Sequence, residues 1–269
     1  MIALSGAKPE VRVDLVVRPM SAANHLAARL GRRLRRVYVE ALDAGAPPPT
    51  IADRVRASRA RLDRVLRRPP REPEIFGPFV PIEPGRICSI PHRDFSRLVE
   101  DATRDPPDLL VLLGASLVPS TVIRLARRHC LNIHLGLAPR YRGLFTTHWA
   151  VLLGELDQLG VTLHEVSEGV DSGAIVAQAR PALLPRDDLV SIELRLMAEG
   201  IALIGEVVAG IEAGRKLAPR PQGPGRLFRR RDFSPVHLAS AEALVRSGAI
   251  RRYCEDHEPA RRIDGPYWQ

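Results

Sequence analysis

Cysteine is nearly absent from this chain. Cys88, Cys130 and Cys254 are few, odd in number and far apart, so they form neither a disulfide framework nor a zinc-ligand spacing. They fit a reducing compartment. Long apolar runs are also missing: none approaches the roughly 18 residues of a membrane span, and Glu10 and Asp14 interrupt the region where a secretory signal would need unbroken apolar residues. A cytoplasmic protein without membrane association is expected. Lysine is limited to Lys8 and Lys216, so the formal charge of +9 rests on arginine, a bias that commonly follows codon composition. Aromatic residues make up 4%, and the arginine runs Arg32-Arg33 and Arg229-Arg230-Arg231 lack the interleaved aromatics of a single-strand nucleic-acid surface. These runs read as solvated surface, which disfavours nucleic acid as a partner and leaves tRNA open.

What is present is enough apolar material, 45% of 269 residues, for one large domain with a small appendage. Val11 to Val17 reads as a strand, Ser21 to Leu34 as a helix capped by Ser21, and Arg36 to Glu40 as a second strand, a βαβ opening. Pro47-Pro48-Pro49 breaks the pattern. Ile51 to Leu66, capped by Thr50, then has the spacing of a surface helix, and Pro69 to Gly85 is too rich in proline for regular structure. Ile87 to Ile90 is a short strand, and Leu109 to Leu113 is a continuous apolar run suited to a parallel strand covered on both faces. A helix over Pro119 to His129 is expected, then strands at Leu131 to Leu135, Gly160 to Glu165 and Ala174 to Gln178, and a long helix over Leu189 to Ala213. The alternation predicts an open, mostly parallel Rossmann-like α/β sheet with helices on both faces and sites at the carboxyl ends of its strands. The domain occupies residues 1–214. Residues 215–269 follow as a Pro/Gly linker and a short tail with room for one helix, Pro235 to Gly248.

Two segments carry chemistry. In Leu131 to Gly143 (LNIHLGLAPRYRG), Asn132 and His134 stand two apart on a strand and project to the same side, an amide donor beside a titratable base. About thirty residues on, GVTLHEVSEGVDSGAIVAQ sets Asp171 in a turn between two strands, with Gly169 and Gly173 permitting close backbone approach. An amide, an imidazole and a carboxylate brought together suit acyl transfer: the amide stabilises an oxyanion, the imidazole handles a proton, and the carboxylate orients the imidazole. No metal-ligand spacing accompanies them.

LNIH, PRYRG, GVTLH and EGVDSG, in that order and spacing, resemble the folate-dependent formyltransferase superfamily, which includes methionyl-tRNA formyltransferase and glycinamide ribonucleotide transformylase. The match is specific over about Asp108 to Gln178. The resemblance implies the formyltransferase fold, 10-formyltetrahydrofolate as co-substrate, no metal, and transfer of the formyl group to an amine. By position it implies that Asn132 polarises the formyl oxygen, His134 assists attack and proton transfer, and Asp171 pairs with His134. His164 is a supporting residue, Ser116, Leu117, Gly169 and Val170 line the pterin pocket, and the loop Pro139, Arg140, Tyr141, Arg142 and Gly143 faces the acceptor.

Departures from the family pattern bear on the acceptor. Where the family reads Pro-Ser-Leu-Leu-Pro after the histidine, this chain has Leu135, Gly136, Leu137, Ala138 and Pro139. The loop after the first strand, Arg18 to Asn24, lacks the glycines of a phosphate cradle, which demotes glycinamide ribonucleotide. The tail is short for the tRNA-gripping β-barrel of methionyl-tRNA formyltransferases, and the chain starts almost directly at its first strand, unlike the hydrolases of this superfamily. A small amine, such as a nucleotide-linked amino sugar, is the acceptor that remains. Methionyl-tRNA, glycinamide ribonucleotide, a non-catalytic folate- or RNA-binding role, and association of two copies stay open.

Overall fold

In the computed structural model, residues 10–41 and 71–269 are described. The Pro47–Pro49 break, the Thr50 cap and the Ile51–Leu66 helix lie outside them. Among the described residues, β1 (Val13–Val17), β2 (Leu34–Glu40), β3 (Ile87–Ile90), β4 (Leu109–Leu113) and β5 (His129–His134) pair in parallel in the order β3-β2-β1-β4-β5. The sheet continues antiparallel from β5 through β7 (Val161–Glu165) and β8 (Ile175–Arg180) to β10 (Arg262–Asp264). β1 and β4 bury every residue, as expected for strands covered on both faces. Val13, Leu15 and Val111 pack under α1 (Ser21–Leu30) and α5 (Leu189–Glu212), while Val16, Leu110 and Leu112 pack with Leu98 of α2 (Ser96–Arg104) and Val122 of α3 (Ser120–Ile123). The expected α/β sheet with helices on both faces is the one observed.

Burial against the sheet supplies the stabilisation, at about 1.5–3 kcal/mol for each enclosed aliphatic side chain. α5 supplies Ile201, Leu203, Ile204, Val207, Val208 and Ile211 to it. Its start is fixed by a capping box in which Asp188 accepts from Ser191 N at 3.0 Å and Ser191 Oγ accepts from Asp188 N at 2.8 Å. At Gly200 the helix backbone comes so near β5 that a Cβ would lie 2.4 Å from Ile133 Cγ2. Ile133 is the residue between Asn132 and His134, so α5 clamps the strand that carries both.

Three local expectations give way. The helix expected over Pro119 to His129 stops after Ile123, because Arg127 N and Arg128 N donate to Pro107 O (2.8 Å) and Asp108 O (3.0 Å) instead of to the preceding turn. Ser21 is not a cap: Met20 holds the N-cap position, and Ser21 Oγ donates to Glu72 Oε1 at 2.6 Å. The tail contains more than one helix, with α6 (Pro235–Arg246), α7 (Ala249–Asp256) and two short strands. β9 (Leu227–Phe228) pairs with β6 (Arg142–Gly143), and β10 closes the edge of β8. Strands of two or three residues carry no readable alternation, and only their partners define them. No helix among the described residues is long and apolar enough to cross a membrane.

Candidate active site

The carboxyl end of β5 meets the switch region of the sheet, beside the carboxyl ends of β4 and β1. Leu131 and Ile133 point into the core, which turns Asn132 and His134 to the opposite face. β7 runs antiparallel to β5 with His164 directly opposite Asn132, so a third polar side chain joins them by strand register. Asp171 sits in the β7–β8 turn with φ 46°, a left-handed conformation that aspartate tolerates better than most residues. Gln222 of the tail holds this turn by donating to Asp171 O (3.0 Å) and Gly173 O (2.6 Å).

The turn folds back on the end of β7 so closely that a Cβ on Gly173 would lie 1.7 Å from Glu165 O. Gly173→Ala must therefore pry the turn from the strand. We expect a loss of about 3 kcal/mol, the upper range for overpacking, read as a shift in denaturant midpoint. An unchanged midpoint would mean the turn is not seated this way.

The side chains of the cluster converge on Asp171. Its Oδ2 accepts from Gly143 N at 2.9 Å and lies 3.3 Å from His134 Nδ1; its Oδ1 accepts from Asn132 Nδ2 at 3.2 Å and lies 3.4 Å from His164 Nε2. On its far side, His134 Nε2 donates to Tyr141 O at 2.7 Å, leaving Nδ1 as the nitrogen that can gain a proton beside the carboxylate. His164 Nδ1 donates to Glu165 O at 2.7 Å, so its Nε2 accepts from Asn132 Nδ2 at 3.1 Å. Burial pushes the His134 imidazole below its usual range, with Asp171 opposing, and the ring is neutral near pH 7. Burial alone would raise the Asp171 carboxyl, but His134, His164 and the Gly143 N–H hold it down at about 2. The result is a neutral base backed by a fixed negative charge. Beside it stands an amide whose N–H toward His164 is open to competition from a ligand oxygen.

Ser116, Leu117 and Gly169 line a cleft floored by Asn132, His164 and Asp171, with Leu112, Val118 and Val166 as apolar walls. Val170 falls outside this lining, and His134 is buried beneath it. Apolar walls with polar side chains gathered at one end suit a heterocycle that presents donors and acceptors on its edge. Among the described residues no group of three or more His, Cys, Asp and Glu side chains is arranged for a metal.

The segment Pro139 to Gly143 is less open than an acceptor-facing loop would be. Tyr141 is buried, stacks on Phe228 at 5.3 Å and donates to Glu155 Oε2 at 2.5 Å; Arg140 points outward and pairs with the same carboxylate. Pro139 and Arg142 are tied to the tail through Pro139 O and Arg142 N, both bonded to Arg226. The segment thus orients His134 and Asp171 through the Tyr141 carbonyl and the Gly143 amide. Gly136 to Ala138 are likewise buried: Thr162 Oγ1 donates to Gly136 O at 2.6 Å and accepts from Ala138 N at 3.0 Å, and Gln178 Nε2 donates to Ala138 O at 2.8 Å. A Cβ at Gly136 would stand 2.6 Å from His134 Nε2, so glycine is needed for the imidazole to reach Tyr141 O. Sequence reasoning missed these supports; the signal available was Thr162 and Gln178, polar residues within otherwise apolar strands. His148 and Trp149 pack with Phe233 and Phe228 of the tail.

Residues 93–208 match the sequence profile of the formyl transferase family. Over 118 residues the chain is 36% identical to methionyl-tRNA formyltransferase of Burkholderia multivorans, an overlap of 44% of this chain and 36% of that protein. The chain thus spans little more than a third of that relative's length. A 4-N formyltransferase from Francisella tularensis superposes with TM-score 0.56 over 90% of this chain and 88% of its own, at 15% identity. A sugar 3N-formyl transferase, WlaRD, crystallised in the presence of dTDP and 5-N-formyl-THF, superposes with TM-score 0.51 over 84% and 72% of the two chains, also at 15% identity. These last two likenesses are of fold. The resemblance carried by LNIH, PRYRG, GVTLH and EGVDSG is borne out, and with it the formyltransferase fold.

Proposed function

We propose that this chain, with its formyl transferase segment at residues 93–208, is an N-formyltransferase that uses 10-formyltetrahydrofolate and delivers the formyl group to the amine of a small nucleotide-linked amino sugar. The observation that carries the reading is the convergence of Asn132, His134 and His164 on Asp171 at the floor of one cleft. The folate carrier supplies an electrophilic formyl carbon. Asn132 Nδ2 donates to the formyl oxygen as negative charge develops there. The acceptor nitrogen forms its bond to that carbon, and the bond from carbon to the folate nitrogen breaks. His134 Nδ1 takes the proton the amine sheds and returns one to the departing folate nitrogen, while Asp171 3.3 Å away balances the transient imidazolium. Catalysis belongs to residues 1–214. Residues 215–269 brace the site through Gln222, Arg226 and β9, and the reaction runs in the cytoplasm.

The amino-sugar acceptor draws support from the fold likeness to a sugar 3N-formyl transferase across most of both chains. A second acceptor, initiator methionyl-tRNA, draws on the identity to a methionyl-tRNA formyltransferase and on the charge of +9. Mixing the purified chain with 10-formyltetrahydrofolate and dTDP-linked amino sugars, glycinamide ribonucleotide, charged initiator tRNA or buffer alone separates these. Tetrahydrofolate release at least tenfold faster with one amino-sugar nucleotide is expected. Release driven by the charged tRNA alone would transfer the assignment to the second reading, and release with none of them would end both.

A further inference from the structure

At the carboxyl end of β2, on the far side of the cleft wall from Asp171, Glu40 is a fully buried carboxylate. Acidic residues at this place in Rossmann-like sheets usually present both oxygens to a ribose. Here both are taken by the protein. Oε2 accepts from Ser116 N at 2.8 Å, and Oε1 accepts from Arg93 N at 2.9 Å with His92 Nδ1 at 3.2 Å. Arg18, from the end of β1, reaches the same spot with its guanidinium 3.4 Å from Ser116 Oγ. Burial by itself would raise the Glu40 carboxyl, yet hydrogen bonds from Ser116 and Arg93 hold it below its usual range. One carboxylate therefore ties together the loops after β3 and β4, and Arg18 from the loop after β1 joins them through Ser116.

Two features indicate what the tie accomplishes. Arg93 has φ 60°, a conformation a non-glycine residue holds only when its surroundings compensate, and the charge-assisted bond to Glu40 does so. Ser116 belongs to the run Ala115 to Val118 that forms one wall of the cleft above Asn132 and Asp171, and that run has no helix or strand of its own. Its position depends on what holds it from behind.

We propose that Glu40 is a positioning residue for the donor cleft, fixing the Ala115–Val118 wall against which the folate ring system binds. The inference rests on the folate reading above. A glutamine at position 40 has one acceptor oxygen where the carboxylate has two, and its amide N–H₂ would confront either Ser116 N or Arg93 N. One loop is released even though size and shape are kept.

The test uses the full chain and four proteins: wild type, Glu40→Gln, Glu40→Asp and Asp101→Asn. Asp101 is a control of the same kind, a buried carboxylate that accepts from Tyr38 Oη (3.1 Å) and Arg97 Nε (2.9 Å) without touching the cleft. Binding of 5-formyltetrahydrofolate by calorimetry is measured with KM and kcat for the donor, the amine held saturating. Glu40→Gln should raise Kd and the donor KM by about tenfold or more with kcat changed less than about threefold, and Glu40→Asp should recover part of the loss. Asp101→Asn should lower the melting temperature and leave donor KM unchanged. Equal effects of Glu40→Gln and Asp101→Asn on KM, or an unchanged Kd in Glu40→Gln, would overturn the proposal and reduce Glu40 to a structural residue. If Glu40→Gln is too unstable for kinetics, amide exchange at Ser116 and Arg93 in the folded Glu40→Asp variant decides: exchange no faster than in wild type overturns it. Wild type that neither binds nor turns over folate defeats the folate reading itself, an outcome visible before any variant is made.

Discussion

Replacing His134 with alanine should cut formyl transfer by roughly 10²–10⁴ at saturating substrates, the range for losing a positioned general base. Two imidazole nitrogens face Asp171, but His164 Nε2 already accepts from Asn132 Nδ2 at 3.1 Å, whereas His134 Nε2 is committed to Tyr141 O at 2.7 Å and its Nδ1 faces Asp171 Oδ2 at 3.3 Å. Removing His134 also strands the buried Tyr141 carbonyl, while Asp171 Oδ2 keeps the Gly143 N–H, so about 1–3 kcal/mol of stability should go with it. The two effects separate by temperature. Activity lost at 10 °C, where the circular dichroism of the variant matches wild type, is chemistry; activity regained on cooling would make the residue structural. The pH profile gives a second handle. Burial lowers His134 from its ordinary 6.5, so the base form persists below that value, and kcat/KM should stay level from pH 8 down past 6.5 before falling. A decline already under way at pH 7.5 would assign the rate-limiting base to another group.

The sequence told the nature of this site better than its construction. Asn132 and His134 could be placed together because a strand sets i and i+2 on one side, and that rule needs nothing beyond five residues of alternation. Asp171 could be joined to them only through a family pattern, since the turn that brings it back depends on the β5–β7 register and on Gly173 lying against Glu165 O. The parallel core was legible for a similar reason: LLVLL at Leu109–Leu113 is apolar on both faces, and only a strand covered from both sides wants that. What escaped were bonds between residues far apart in the chain. Gln222 reaching Asp171 spans 51 residues, and Glu40 reaching Ser116 spans 76; neither glutamine nor glutamate has any local periodicity that would announce it. The segment Pro139 to Gly143, expected to face an acceptor, holds His134 and Asp171 by its backbone, through Tyr141 O and Gly143 N. A buried tyrosine in a polar loop sequence carries no mark of which way its carbonyl points.

Asp171→Asn tests whether the carboxylate does more than hold shape. Asparagine fits the same space, but its single oxygen must choose between Gly143 N and Asn132 Nδ2, and its N–H₂ turns toward groups that now donate. The larger loss is charge. Asp171 opposes the burial that lowers His134, so without it the imidazole becomes a weaker base and the imidazolium formed during transfer goes uncompensated. Turnover should fall roughly 10²–10³-fold, and the acid limb of the pH profile should move to lower pH, because the pKa that sets it has dropped. Stability should follow the opposite group. The folded pKa of Asp171, about 2 against an ordinary 3.8, means the wild-type carboxylate contributes roughly 2 kcal/mol that is fully present above pH 4 and vanishes as pH falls through about 2. The gap in unfolding free energy between wild type and Asp171→Asn should therefore close across that window and remain constant from pH 5 to 8. A gap that persists at pH 2 would show that the site is held by shape alone, and an acid limb that stays in place would show that Asp171 does not set the basicity of His134.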